Sequence, residues 1–527
     1  MPPIVGAEDA AIGFRYARNL AEGHGFVFNP GGETVEGVTS LLWAFISSAI
    51  YATVGPGSLE IVLFMISLLL TFGTLGIVLW LLFDCTPGVA GRALGVVWLA
   101  AGAGFFFWSG LSLMETALWA FLIQAFVLVL YRQLEGRGRT PGALAALVIA
   151  LLLTRPDAML MVPAIAVVAG LVYGASPVWR KATVETIGTH LVAVLALTGV
   201  RLWYFGFPLP NTYYSKVPTD VAYRLAQGMT YVGTYFAEHR LAALPFIVAI
   251  GWVSVSVPVR NRARSWLAGR TDARLAGFAS GVMLVGFLSI VSVGGDHYQG
   301  HRFLQAYLPM LAIGLGVGLD TLLRVGATRP RLRHIVIAAA GMWTLVLMPL
   351  EWRAFSRHGL DHQAFAVGLQ GRAVGQALGE AFEGTRPPIV GLWMVGGAGY
   401  AYPGPVKDLL GLNWIAMGHS PSDRKGIRDY ATFTIDVFWS DPPEIMLPDP
   451  EAVIIQKGCT RVVLGGALRG LLTTSEFEAA YRPARIRSPR FPPIIVYARA
   501  DWLLTPRPAV ERLNWLYCVR PEAPEPG

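Results

Sequence analysis

Residues 59 to 83 read LEIVLFMISLLLTFGTLGIVLWLLF, an apolar run long enough to cross the roughly 30 Å of hydrocarbon in a bilayer. Working outward, similar runs lie at 88 to 107, 113 to 131, 186 to 204, 241 to 259, 276 to 293, 305 to 324 and 334 to 350. Two shorter runs, 141 to 153 and 157 to 173, flank Thr154-Arg155-Pro156-Asp157. They predict a hairpin whose polar tip sits below the membrane surface, where irregular backbone is tolerated only inside protein. The sum is ten crossings of a mainly α, polytopic membrane protein. Composition agrees: 14% of the 527 residues are charged and 54% hydrophobic, with mean hydropathy +0.51. A soluble globular chain carries about 25% charged residues, so a cytosolic enzyme, a collagenous fibre and a disordered chain are all excluded.

The charges sort by side. One set of loops is arginine-rich, at Arg132, Arg137 and Arg139, at Arg180 and Lys181, from Arg260 to Arg274, and from Arg324 to Arg333. The alternating set, such as 205 to 223 and 294 to 304, is poor in arginine and rich in His, Asp, Asn, Tyr and Pro. The positive-inside rule makes the basic set cytoplasmic and the other set external. The net charge of +8 therefore speaks of topology, and nucleic acid is not an expected partner. The apolar run 38 to 54 would reverse this pattern if it crossed, so it is read as a helix at the outer interface. Residues 1 to 37 then lie outside, and the expectation is an upstream first helix, an eleventh span, whose stub is Pro2 to Gly6. Three units follow: 1–58, an external loop with interfacial helices; 59–350, the transmembrane core; and 351–527, an external α/β domain. The last is charged, rich in Pro and Gly, and carries β-like runs at Pro388 to Val395, Ala452 to Ile455, Arg461 to Leu464 and Pro493 to Tyr497. Cys85, Cys459 and Cys518 form no metal pattern; a Cys459–Cys518 bridge is the residual option.

Ionisable residues gather on the outer side. Residues 8 to 25 read EDAAIGFRYARNLAEGHG and lead on to Glu36-Gly37. The adjacent carboxylates Glu8 and Asp9 can supply a general base, since like charge and partial burial raise one pKa; the alternative is an acidic helix start that suits the macrodipole. Residues 294 to 303, GGDHYQGHRF, concentrate Asp296, His297, His301 and Arg302 at a membrane boundary. His with Arg suits a phosphate, and a divalent cation on Asp296, His297 and His301 is the competing reading. Residues 201 to 216, RLWYFGFPLPNTYYSK, add Asn211 and Lys216, and Glu115 and the Arg155–Asp157 pair lie near outer span ends. Their convergence suits chemistry on a lipid-linked phosphate. No nucleotide-binding glycine motif appears; Gly314-Leu-Gly316-Val-Gly318 lies within a span and reads as helix packing.

These pieces resemble the GT-C superfamily of polyprenyl-phosphate-dependent glycosyltransferases, in particular the mycobacterial terminal β-arabinofuranosyltransferase family. The resemblance rests on residues 8 to 43, on Gly110-x-x-Met-Glu-Thr, Thr154-Arg-Pro-Asp, Pro208-Leu-Pro-Asn-Thr, Gly294-Gly-Asp-His through Phe303, and Asp408-Leu-Leu-Gly-Leu-Asn413. It spans nearly the whole chain in order. It implies a bacterial inner-membrane enzyme with an external site, a polyprenyl-phosphate sugar donor such as decaprenyl-phosphoryl arabinose, and a cell-envelope glycan or glycolipid acceptor. The transfer would invert the anomeric carbon. Glu8 or Asp9 would be the base; Arg155, Lys216, His301 and Arg302 would hold the donor phosphate. Arg15, His24, Glu36, Glu115, Asn211, Asp296 and His297 would line the substrate. The family pattern has Asp where Glu8 stands and Tyr where Ala11 stands, and the added methylene means that either Asp9 has taken the role of base or the pocket has shifted. Competing functions are a flippase or transporter for lipid-linked glycans and an inactive scaffold for envelope assembly.

Overall fold

The computed structural model describes residues 6–86, 88–138, 142–174, 176–239, 244, 271–296, 298, 300–325, 330–359, 363–420, 434–447, 453–456, 459–462, 471 and 474–513. It is mainly helical with a small sheet region near the C-terminus. The helices, in chain order, are α1 (Glu8–Ala21), α2 (Leu41–Val54), α3 (Pro56–Cys85), α4 (Val89–Ala101), α5 (Ala103–Phe106), α6 (Thr116–Leu134), α7 (Ala143–Thr154), α8 (Ala158–Tyr173), α9 (Pro177–Tyr204), α10 (Asn211–Lys216) and α11 (Val221–Glu238). They continue with α12 (Thr271–Val293), α13 (Arg302–Gln305), α14 (Leu308–Val325), α15 (Pro330–Gly359), α16 (Gln363–Ala381) and α17 (Gly396–Ala401).

Among the described residues four helices, α3, α6, α9 and α12, are long and apolar enough to cross a bilayer; α4 with α5 and its continuation to Leu111 would be a fifth span, bent by 64°. The ten crossings expected from hydropathy are matched only to that extent. Residues 241 to 259 lie outside the described residues except for Leu244, and α2, α7, α8 and Ile337–Leu350 form apolar helices shorter than a span. At 14 residues α2 is about 21 Å long, so it cannot cross. Lipid-facing apolar surface is plain on the span helices: Leu195 is 72% and Trp203 82% exposed on α9, and Leu69 72% on α3. Soluble proteins rarely leave so many large apolar side chains exposed along one helix, whereas a bilayer solvates them.

Local chemistry sets the helix starts. Ser40 accepts from the Trp43 amide to cap α2, Ser176 caps α9 just before Pro177, and Asp220 accepts from the Tyr223 amide to cap α11. The sharpest irregularity follows α5. Phe107–Leu111 is a π-turn, and Leu113 then adopts φ +57°, which L-residues rarely visit. The Trp43 indole donates to the Leu113 carbonyl at 3.0 Å and the Ala7 amide to the Ser112 carbonyl at 3.0 Å, which holds this turn against α1 and α2. The result re-aims Met114 and Glu115 inward. Between α7 and α8 the helix breaks at Arg155, which is extended ahead of Pro156 as the proline ring demands, and both helices pack against α9.

The strands are β1 (Val390–Leu392), β2 (Val406–Asp408), β3 (Ile445–Met446), β4 (Val453–Gln456), β5 (Cys459–Val462), β6 (Tyr481–Ile486), β7 (Ile494–Arg499) and β8 (Val510–Arg512). Six of them form one mixed sheet in the order β2-β1-β3-β7-β6-β8, parallel at β1–β2 and β1–β3 and antiparallel elsewhere. β4 and β5 pair antiparallel, Val453 opposite Val462. The four β-like runs seen in the sequence thus correspond to β1, β4, β5 and β7. Leu392, Ile445, Ile486, Val496 and Ala498 are buried in the sheet's core. Cys85 is buried beside the Tyr131 hydroxyl, while a Cys459–Cys518 bridge lies outside the described residues.

Candidate active site

The site is built around α1, which lies against α2 on one side and against α16 and α17 on another. The contact with α17 is close enough to require glycine: a Cβ at Gly396 would overlap the Glu8 backbone carbonyl, and one at Gly397 the Gly368 carbonyl. The two adjacent carboxylates stay close enough to interact but face different surroundings. Glu8 is buried under α17, and its Oε1 accepts a hydrogen bond from the Gly396 amide. Burial, reinforced by the neighbouring Asp9 charge, pushes the Glu8 carboxyl up to about 8. Asp9 instead points into a cleft, where Lys216 Nζ donates to its Oδ2 at 3.1 Å.

The cleft is also lined by Thr39, Trp43, Met114, Glu115, Thr212, Arg302 and Leu412. It therefore joins residues from six separate stretches of chain. Its volume of about 60 Å³ matches roughly two waters at about 30 Å³ each, so a sugar needs side chains such as Lys216 to swing aside. Behind it lies a chain of ion pairs. Glu115 accepts from Arg155 Nη1 at 3.0 Å, and Arg155 Nε donates to Asp157 at 2.7 Å. Arg302 Nε donates to Asp296 at 2.7 Å, and its guanidinium stacks near the Tyr298 and Phe303 rings at 4.8 and 5.0 Å. Arg302 lines both this cleft and a smaller adjoining one with Arg155, Asp157 and Tyr307. All these ion pairs are buried, so each cation is held in a fixed place by its carboxylate.

Other residues singled out in the sequence are placed elsewhere. The Arg15 guanidinium donates to the carbonyls of Phe28, Gly399, Tyr402 and Gly404 and to Asn29 Oδ1, tying α1 to the chain around 400. Burial pushes its pKa down to about 9. Glu36 is held by a bidentate pair to Arg201, at 2.8 and 2.7 Å, with both side chains fully buried. Asn211 donates to the carbonyls of Gly411 and Leu412 at 2.8 and 2.9 Å. His24 lies at the exposed end of α1, 3.8 Å from Glu22. His301 Nε2 faces Thr234 Oγ1 at 3.0 Å and its Nδ1 is 3.9 Å from Glu238, so the ring turns toward α11 while Arg302 turns toward the cleft. His297 lies outside the described residues.

Two participants had weaker sequence signals. Asp408 accepts from the Leu410 and Asn413 amides and from Asn413 Nδ2, and burial still pushes its carboxyl up to about 6. Asn413 in turn accepts from the Tyr16 hydroxyl at 3.0 Å, so the Asp408-to-Asn413 motif seats α1. Thr39 and Thr212 meet across the cleft at 3.4 Å; Thr212 closes the Pro208-Leu-Pro-Asn-Thr motif, but its own role is not singled out there. A separate apolar cavity of about 840 Å³ opens between α2, α7 and α9, lined by residues such as Phe45, Leu152, Val192 and Trp203.

No family model and no solved structure matches the chain. Two curated proteins do. A terminal β-(1→2)-arabinofuranosyltransferase of Corynebacterium glutamicum is 28% identical over 412 residues, 69% of this chain and 56% of that protein. One of the same name from Mycobacterium tuberculosis is 28% identical over 408 residues, 71% of this chain and 63% of that protein. The aligned part thus spans only about 56 to 63% of the relatives' lengths. The chain is thus a multi-helix membrane protein similar in sequence to these two arabinofuranosyltransferases.

Proposed function

We propose that the chain is an integral-membrane glycosyltransferase that moves an arabinofuranosyl unit from a polyprenyl-phosphate donor to a cell-envelope glycan, on the external face and with inversion. The observation that carries this reading is the Asp9–Lys216 pair in a cleft that also presents Glu115 and Arg302. Asp9 takes the acceptor hydroxyl proton as the new C1–O bond forms, and the C1–O bond to the phosphate breaks on the opposite side of the sugar ring. Arg302, set in place by Asp296, and Lys216 stabilise the negative charge that grows on the leaving phosphate. Lys216 has a second effect. Its Nζ, now donating to Asp9, lies where it can turn to the donor phosphate and leave the Asp9 oxygen to the acceptor hydroxyl. The apolar cavity of about 840 Å³ supports a lipid-borne donor, because its lining offers a prenyl chain the same environment as the bilayer.

The test is incorporation of labelled arabinose from decaprenyl-phosphoryl arabinose into an arabinan acceptor by membranes containing the protein. Asp9→Asn should lower the rate by about 10²- to 10⁴-fold, the usual contribution of a positioned general base. Unchanged transfer by this variant, with normal protein levels, rejects the mechanism.

A further inference from the structure

We propose that Glu238, His239 and His301 form a transition-metal site of the zinc class, which fastens the end of α11 to the residue that precedes Arg302. The ligand atoms of these three side chains lie within 4.8 Å of one another. Ligands around a tetrahedral zinc at about 2.0 to 2.1 Å are about 3.4 Å apart, so closure needs only small side-chain adjustments. Glu238 has that freedom: its side chain is 63% exposed, and its carboxylate already stands 3.9 Å from His301 Nδ1.

The orientation of His301 makes the cluster more than a coincidence of residue types. The Thr234 hydroxyl is within 2.9 Å of the Thr230 carbonyl and 3.0 Å of the Tyr231 carbonyl, both of which accept its proton. Its oxygen lone pair is then left for His301 Nε2–H at 3.0 Å. With Nε2 engaged by Thr234, Nδ1 is the ring nitrogen that faces Glu238 and the one the fold offers to a metal. A hydrogen bond from the second ring nitrogen is the usual device that orients a metal-binding histidine. His301 also adopts φ +53°, a left-handed backbone that a non-glycine residue rarely takes, and its ring is packed against Tyr231 and Tyr235 at 4.8 and 5.3 Å. Two imidazoles and one carboxylate suit Zn²⁺, Co²⁺ or Mn²⁺ and discriminate against Ca²⁺ and Mg²⁺, which prefer all-oxygen shells. The cation reading of residues 294 to 303 shares His301 with this cluster, while His297 lies outside the described residues. Asp296 serves Arg302, and the partners of His301 come from α11. The adjacent Glu238-His239 dipeptide was the available sequence signal, but only the fold shows that it meets His301. The site is independent of the transfer reaction proposed above.

The full chain, purified in detergent and stripped with chelator, should bind one equivalent of Zn²⁺ by calorimetry and give the absorption bands of four-coordinate Co²⁺. His239→Ala and His301→Ala should each weaken Zn²⁺ at least about tenfold, and Thr234→Val by about 10- to 100-fold as a lost outer contact does. His24→Ala, remote from the cluster, should bind like the unaltered chain. Apo melting temperatures identify any variant that fails to fold. Absence of saturable Zn²⁺ or Co²⁺ binding by folded protein overturns the site, as does binding that survives both His239→Ala and His301→Ala. A His301–Glu238 ion pair alone would give melting that depends on pH but not on Zn²⁺, and that outcome too overturns it.

Discussion

Burial assigns Glu8 and Asp9 to different work. Glu8, under Gly396 with its carboxyl pushed up to about 8, is protonated at neutral pH and acts as a neutral contact, while Asp9 faces Lys216 in the cleft. The sign of the pH effect follows. With an unfolded value of 4.5 and a folded value near 8, the native state favours the protonated form; Glu8's contribution is complete below about pH 4.5 and is lost as pH rises toward 8. Glu8→Gln keeps the shape without the proton. The melting temperature of the unaltered chain should therefore fall relative to Glu8→Gln between about pH 5 and pH 8 and then run level, which thermal melts in a pH series would measure. A constant difference would mean that Glu8 is already ionised in the fold. The carboxylate pair itself was legible in the sequence, as were Lys216, Glu115 and Arg302. Which carboxylate faces the cleft was not, because that depends on a glycine 388 residues away in the chain.

At the scale of elements, the seat of α1 decides whether the site exists. Gly396 lets α17 approach α1 to backbone contact, so Gly396→Ala should force the two apart and cost about 1 to 3 kcal/mol, the range for an overpacked contact. Thermal or denaturant unfolding of the purified protein would report it, and Gly384→Ala, at a turn where a Cβ meets no neighbour but φ is +73°, should cost less. Long apolar helices such as α3 and α12 were readable because hydropathy over a full span is a strong signal. The 64° bend between α4 and α5 and the π-turn at Phe107–Leu111 were not, since 88 to 107 reads as one apolar run. Irregular backbone there is fixed by Trp43 and Ala7, contacts that no local pattern encodes.

Across the whole molecule, the cleft is assembled from both ends of the chain: Asp9 and Thr39 from the first forty residues, Glu115, Lys216 and Arg302 from the membrane part, Leu412 from beside the sheet. Truncation after residue 389 should therefore leave a chain that still enters the membrane yet shows no transfer, since α1 loses Gly396, Gly399, Tyr402 and Asn413 together. Membrane fractionation alongside the labelled-arabinose assay separates these outcomes, and residual activity would show that the C-terminal part is dispensable. The Arg15 clamp carries a consequence for how such a chain can diverge. One guanidinium engages carbonyls at 399, 402 and 404 and a side chain at 29, so it binds the main chain rather than particular side chains. Both sides of that clamp are constrained, because a Cβ at Gly404 would meet the Tyr402 ring and Tyr402 is itself buried and bonded to the Pro388 carbonyl. The clamp and its receptor can therefore change only together, and a substitution in either would unseat the first helix.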